Sequence, residues 1–527
     1  MLSWRAHGRD LVAVLGVIAI ATKATVGIGG AREPRFDDES LYLASGMRLL
    51  VPGYPNDAHG LPSASWGPLY SCWYFVLHLF EHDPSRLYFL SWSLLVLLVC
   101  LAQYALQRTL GVSAMLAMLT TCGLATCHFF DVWPYPAHFA ALCVLVGATF
   151  AARARGRRAA TLLILWTLLA CVFIRPELSL AFSLTALVAL AVGARTAWSA
   201  SRWRPLIVDV ASVAIPAALL VAVFGNPNAG TRAFYAWGQH YALQEVTRHG
   251  LAQDPWVEWY AIVQRDFGPV GDLTSALRAN PAAFFAHLGL NGLAAPHAIY
   301  ETFEPSRAVP TRVAGLFFGL FVGFGALGLW LRPRRARLSR VLTLWLAIAT
   351  PTVVGALLVY PRDHYFVVLG ALSVALLAAG LSRGAGPTAR VCFALAIALF
   401  VVTPRRAVEP ANPPSEQGRI IGALASLRIT QHVVVLEQGY SYALYAGLDF
   451  KRIEEWNRRV PFLDFLGQQD ASLVVLTDAM SRNPNFSGDL GYQAFQSDPA
   501  RFGFQAVPVP STGARIAIRN DVPRAPD

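Results

Sequence analysis

A mainly α-helical polytopic membrane protein with a small C-terminal α/β domain is the fold class predicted by three observations. The 527 residues are 55% hydrophobic and only 14% charged, against roughly 25% charged in soluble domains. Apolar runs of spanning length recur through the first 403 residues, and the apolar character then stops. No single soluble core needs that much apolar sequence, so lipid must take up the surplus. The formal charge of +11 does not indicate nucleic acid as a partner. From Pro404 onward there are thirteen Lys/Arg and thirteen Asp/Glu, so the whole excess sits in short loops between apolar runs.

In chain order, the apolar runs fall at about 11–29, 86–107, 112–130, 136–152, 159–174, 178–194, 206–224, 311–331, 341–360, 365–381 and 391–403. That predicts about eleven transmembrane helices. With the N-terminus in the cytoplasm, the loops expected inside are Arg153–Arg158, Arg195–Arg204, Arg332–Arg340 and Arg383–Arg390. They carry four, three, five and two Arg. The short loops expected outside carry one Arg or none, which is the positive-inside pattern. Arg5 and Arg9 precede a long apolar run with no convincing cleavage site, so the first span is expected to be retained.

Segment 66–81, WGPLYSCWYFVLHLFE, would invert every later loop if it crossed the membrane. Its Trp66, Leu69, Tyr70, Trp73, Leu77 and Phe80 recur at helical spacing, as expected of a helix lying in the outer interface. Residues 30–85 are then a first external loop with two surface helices, Asp37–Leu50 and Trp66–Glu81. A second external loop, 225–310, has helical pieces near 231–249, 256–266 and 273–299. Residues 1–403 form the membrane domain, and 404–527 an extracytoplasmic α/β domain. Its expected strands are His432–Glu437, Leu473–Thr477 and Ala514–Arg519, between helices near 416–428 and 454–468. All seven cysteines lie in apolar stretches without a CxxC, which argues against a disulfide framework and a zinc site.

Ionisable residues gather at the outer helix ends: Asp37, Asp38 and Glu39, then Asp131 in HFFDVWPYP, Arg175 and Glu177 in IRPE, and Arg362, Asp363 and His364 in YPRDHYF. Such groups at a bilayer cost several kcal/mol unless paired or wet, and so point to function. Each has a local alternative. The acids can cap a helix start, Arg175-Pro176-Glu177 can be a tight turn, Arg362-Asp363 can be a surface ion pair, and Asp131 can sit in an interfacial turn. The histidines read as polar surface, with His364 as the one to test. Gly27-Ile28-Gly29-Gly30 follows no strand and precedes no GK[ST], so ATP and soluble nucleotide sugars are not indicated. A divalent metal bridging acids and phosphate is compatible with the pattern, which requires no cofactor.

These residues resemble the GT-C membrane glycosyltransferases, in the protein O-mannosyltransferase, aminoarabinose transferase and Rgt-type branches. The likeness rests on one span followed by an acidic pair opening a surface helix and on the WGPLYSCWY helix. It extends to the IRPE turn, Arg278-Ala279-Asn280-Pro281 followed by His287 and Asn291, and the YPRDHYF turn. The resemblance implies sugar transfer from a polyprenyl-phosphate donor to a glycan, lipid or protein acceptor, at the outer face of a bacterial cytoplasmic membrane. It implies Asp38, or Asp37 beside it, as the base, with Glu39 shaping that site. It implies Arg362 and His364 on the donor phosphate, Arg175 as a second phosphate ligand, and Tyr42, Asp131, Glu177 and Tyr365 as further substrate contacts. Where the aminoarabinose transferases have Lys-Pro-Pro-Leu, this chain has Trp66-Gly67-Pro68-Leu69, which shifts weight to the arginines. The alternatives are a transporter or flippase of lipid-linked glycan, and a non-catalytic envelope assembly protein.

Overall fold

The computed structural model describes residues 2–28, 33–34, 38–53, 55–130, 135–229, 232–304, 311–331, 336–384, 391, 394, 415–438, 442–453 and 460–525. Asp37, Asp131 and the boundary at residue 404 lie outside them, as does nearly all of the run 391–403. The other ten apolar runs are helices: Leu2–Thr25, Pro84–Thr109, Ala114–Thr126, Pro136–Arg153, Arg157–Val172, Ser179–Ala200, Arg204–Phe224, Thr311–Trp330, Ala336–Leu358 and Val367–Gly384. Among the described residues, five stretches are long and apolar enough to cross a membrane: Pro84–Thr109, Pro136–Arg153, Pro176–Ala200, Arg204–Phe224 and Ala336–Leu358. Ala114–Thr126 has only 13 residues, about 20 Å of helix against roughly 30 Å of hydrocarbon. Length and composition thus support five spans among the described residues, where the sequence pattern suggested about eleven.

Exposure identifies the solvent. Along Arg204–Phe224 only Val213 is buried, while Ile207, Ile215 and Leu219 are each about 60% exposed. Ser179–Ala200 buries only Ala181 and Ala197. Continuous apolar faces of this size in water would cost about 25 cal/mol per Å². Lipid covers them, and the protein is a multi-pass membrane protein. The inner bundle packs Pro84–Thr109 against Leu2–Thr25, Ala114–Thr126 and Pro136–Arg153. The ion pair from Arg108 to Asp10 (2.6 Å) is joined there by the Tyr104 hydroxyl, also 2.6 Å from Asp10.

The two helices expected in segment 30–85 are present as Asp38–Met47 and Pro68–His78, but the first is mostly buried rather than lying on a surface. They approach closely: a Cβ on Gly46 would lie 2.5 Å from the Ser71 carbonyl oxygen. Pro68–His78 buries Tyr70, Ser71, Tyr74 and Leu77 and leaves Val76 49% exposed at its other edge, so one face packs on the protein and the other does not. Its start is fixed by Gly67, at φ 73°, because the Leu69 amide donates to the Phe173 carbonyl (3.0 Å). An added Cβ at Gly67 would stand 2.1 Å from the Ile174 oxygen. Gly67→Ala is expected to destabilise the protein by about 2 kcal/mol or more, since strain and backbone collision add. Gly111→Ala has the same φ problem (+87°) but open space, and should cost about half as much. Thermal melts of both variants in detergent check the ranking.

The second loop folds as Arg232–His249, Trp259–Phe267, Leu273–Ala279 and Pro281–Phe303. The expected helix 273–299 is broken at Asn280, whose side chain caps the next helix by accepting from Ala283 N, with Pro281 at the first helical position. The C-terminal part has a five-stranded sheet of β1 (Val433–Leu436), β2 (Phe450–Ile453), β3 (Leu473–Leu476), β4 (Phe504–Pro508) and β5 (Arg515–Arg519), in the order β2-β1-β3-β5-β4. β1 pairs in parallel with β2 and β3, and β5 antiparallel with β3 and β4. Three strands fall where the sequence placed them. The two unforeseen ones, β2 and β4, are the sheet edges, where charge in Phe-Lys-Arg-Ile and the terminal Pro508 hide the strand pattern. One sheet face, with Val433, Val435, Leu473 and Ile518, joins the same core as the membrane helices. The other face packs on Phe462, Phe486, Tyr492 and Phe495. Arg48, just after the acidic helix, donates to the Phe450 carbonyl (2.9 Å), so the sheet is tied to the segment that follows that helix.

Candidate functional site

A cavity of about 420 Å³ lies between residues 65, 135, 175–178, 227–236 and 351–368. Its polar wall carries Tyr135, Arg175, Glu177, Arg232, His364 and Tyr365; Pro351, Gly355, Val359 and Val368 make an apolar wall. Arg175 enters from the turn after Arg157–Val172. Its guanidinium lies between the rings of Tyr135 (5.6 Å) and Tyr365 (5.5 Å) and pairs with Glu177. The side chain is 11% exposed, and Nη1 is buried without a hydrogen-bond partner. Burial alone would lower its pKa, but Glu177 and the two tyrosines raise it further, so the cation persists at every physiological pH.

Arg232 opens the first helix of the second loop and reaches back to the first. It donates to the Ser65 carbonyl, lies 4.0 Å over the Trp66 ring and is near enough for its charge to act on the Tyr42 hydroxyl. The Tyr42 hydroxyl is pushed up to about 12 by burial, against the pull of Arg232. Asp38, half-buried in the first turn of its helix, is close enough for its charge to act on Tyr42, Tyr135 and Arg232. Glu39 faces away into the protein. It is fully buried and accepts from the hydroxyls of Tyr70 (2.6 Å) and Tyr74, clamping the two surface helices together.

Asp38, Tyr42, Arg175, Glu177, His364 and Tyr365 are thus gathered at or beside one cavity, with Glu39 behind it. Arg362 stands further off: its guanidinium lies 5.3 Å over Trp256 and does not line the cavity, though its charge still reaches His364 and Tyr365. Among the described residues the cations on the cavity wall are Arg175 and Arg232. In the YPRDHY turn successive side chains diverge, so His364 and Tyr365 face the cavity while Arg362 turns to the second loop. The sequence reading missed Arg232, Tyr135 and Trp66. Tyr135 stands in the motif singled out for Asp131, and Arg232 is the basic residue opening an otherwise aromatic helical piece; both signals were present. Also passed over were His78 and His82, four residues apart, whose rings meet at 4.9 Å. Among the described residues, no three His, Cys, Asp or Glu side chains gather in a way that could hold a metal ion.

His364 is buried, 4.4 Å ring to ring from Tyr135, with Nδ1 3.4 Å from Asp363, whose other oxygen is 3.4 Å from His128 Nε2. Burial, reinforced by the Arg175 and Arg362 charges, lowers its pKa to about 4 against the pull of Asp363. His240 falls to about 3 and His287 to about 4, in both cases mainly by burial. These three imidazoles are neutral in the folded protein and titrate near 6.5 when unfolded. Between pH 6.5 and 4 the unfolded chain therefore binds more protons, and stability falls as pH falls through that window. The expected loss by pH 5 is about 1–2 kcal/mol for each of the three. Melting temperature in detergent should be flat above pH 7 and drop below 6.5; a rise on acidification would contradict the neutral assignment.

No family model matches the sequence, and no curated protein matches it. Among solved structures, the chain is similar to ArnT from Cupriavidus metallidurans, both in the apo state and bound to undecaprenyl phosphate. Those matches have TM-scores of 0.42 and 0.43 at 14% identity, covering 99% of this chain and 100% of ArnT. It is also similar to the arabinofuranosyltransferase AftD from Mycobacteria, with a TM-score of 0.41 at 12% identity over 97% of this chain and 41% of AftD.

Proposed function

We propose that the protein is a GT-C-type membrane glycosyltransferase that moves a sugar from a polyprenyl-phosphate donor to an acceptor hydroxyl at the outer face of a bacterial cytoplasmic membrane. One observation carries the reading: a half-buried acid, Asp38, shares its surroundings with two arginines on a cavity whose other wall is apolar. Phosphate suits the arginines, a prenyl chain suits the apolar wall, and a carboxylate beside them suits proton abstraction.

In this reading Asp38 takes the proton from the acceptor hydroxyl as its oxygen bonds the anomeric carbon. The bond from that carbon to the phosphate oxygen breaks on the opposite face, giving inversion, and its electron pair leaves with the polyprenyl phosphate. Arg175 and Arg232 neutralise the departing charge, the role first assigned to Arg362. Tyr42 and Tyr365 orient the donor head, and Glu39 fixes the helix that presents Asp38. Asp37 and Asp131 remain candidates on sequence grounds, as a second acid and an acceptor contact. The topology proposed has the N-terminus inside and residues 404–527 outside, as the α/β domain expected from the sequence. The direct test is transfer from radiolabelled polyprenyl-phosphate sugars by the purified protein in nanodiscs, with products identified by mass spectrometry. Labelled substrate crossing a proteoliposome without covalent product would replace this reading with a flippase.

A further inference from the structure

The cavity depends on a turn, Tyr360–Tyr365, that must be held still although it follows the end of a helix. The last carbonyls of a helix have no partner within it, and Pro361 cannot continue the ladder. The helix Pro281–Phe303 meets this need from the side. Asn291 is fully buried, and its side-chain amide donates to the carbonyls of Leu357 (2.7 Å) and Val359 (3.3 Å).

Asn291 is itself fixed by a closed ring. His287 Nδ1 lies 2.7 Å from Gln244 Oε1, Gln244 Nε2 2.5 Å from Asn291 Oδ1, and Asn291 Nδ2 3.1 Å from His287 Nε2. The ring shares its donors with the helix end: the two Asn291 amide hydrogens face the Leu357 and Val359 carbonyls as well as His287 Nε2, and His287 Nε2 itself lies 3.1 Å from the Leu358 carbonyl oxygen. The ring also reaches the first helix of the second loop, since Gln244 lies on Arg232–His249. Eleven residues beyond Asn291, about 16 Å along the helix, Thr302 donates to the Asp363 carbonyl (3.1 Å). One helix thus holds the turn at both ends.

We infer that Gln244, His287 and Asn291 are positioning residues for the cavity: they hold the end of Ala336–Leu358 and so place His364 and Tyr365 against Arg175. The inference deepens the proposed function and rests on it for its binding readout. It also gives a role to the Arg278–Asn291 motif, which the chemistry of the cavity leaves unused.

The test compares His287→Leu and Asn291→Leu, which remove the polar ring at similar volume, with His287→Gln, whose amide can still donate and accept. The readout is the ratio of affinities for a polyprenyl phosphate and the corresponding polyprenol, measured in nanodiscs. That ratio isolates the phosphate end of the cavity from general loss of folded protein. The leucine variants should lower the ratio on the order of tenfold, as a misplaced site does, and His287→Gln should restore most of it. A wild-type ratio in both leucine variants overturns the inference, whatever their melting temperatures. If the wild type itself does not prefer the phosphate, the functional reading fails instead. A cryo-EM map of Asn291→Leu then decides the tether alone: a displaced Tyr360–Tyr365 turn upholds it and an unmoved one overturns it.

Discussion

Asp38→Asn is expected to lower the transfer rate by at least about 100-fold, because a positioned general base contributes on the order of 10²–10⁴. The substitution keeps the size of the side chain and removes its basicity. Its structural cost is smaller. Loss of a carboxylate from the first turn of a helix costs about 0.3–1 kcal/mol through the helix dipole, whereas a 100-fold rate loss corresponds to about 2.7 kcal/mol in the barrier. The two effects therefore separate: the melting temperature should shift by a few degrees at most while kcat collapses and donor binding is kept. Glu39→Gln should show the reverse bias. Its carboxylate is fully buried and accepts from two buried tyrosines, so its loss should appear in stability first. Full turnover in Asp38→Asn, alone and combined with Asp37→Asn, while the protein remains folded, would remove the proposed base.

How much of this was legible beforehand follows from the periodicity of each part. The apolar runs and the helices of segments 30–85 and 225–310 were readable because a helix that meets lipid or a packed partner on one side repeats at a fixed spacing. Central strands β1, β3 and β5 were readable from their apolar runs; edge strands β2 and β4 carry charge and proline and show none. The site was half readable. One-sided placement of ionisable residues pointed to the outer helix ends and to Arg175, Glu177, His364 and Tyr365. It could not rank Arg362 against Arg232, since that depends on which way a side chain leaves a non-helical turn. Nor could it show that Glu39 points inward while its neighbour Asp38 stays near the cavity. Adjacent residues on a helix diverge by about 100°, and only the packing of Tyr70 and Tyr74 decides which face is which.

Removing either cavity arginine should weaken donor binding far more than removing Arg362. Arg175→Leu takes away the cation between Tyr135 and Tyr365 and also leaves Glu177 without its partner. An unopposed carboxylate would then face the donor phosphate, so the loss combines a missing attraction with a new repulsion. Truncating one side of a charged contact of this kind costs about 2–5 kcal/mol, roughly 30-fold to several thousand-fold in affinity. Arg175→Lys should recover only part of it, because an ammonium cannot bridge two rings and a carboxylate as the planar guanidinium does. The double change Arg175→Leu with Glu177→Gln should be milder than the single one, which separates repulsion from lost attraction. Arg232→Leu should fall in the same range but also loosen the first loop, through Ser65, Tyr42 and Trp66. Arg362→Leu, stacked on Trp256, should change affinity for a polyprenyl phosphate by less than about threefold. Isothermal titration in nanodiscs with a polyprenyl phosphate measures all five. If Arg362→Leu proves as damaging as Arg175→Leu, the phosphate must sit on the Trp256 side of the turn, and the cavity walled by Arg175 and Arg232 is not its seat.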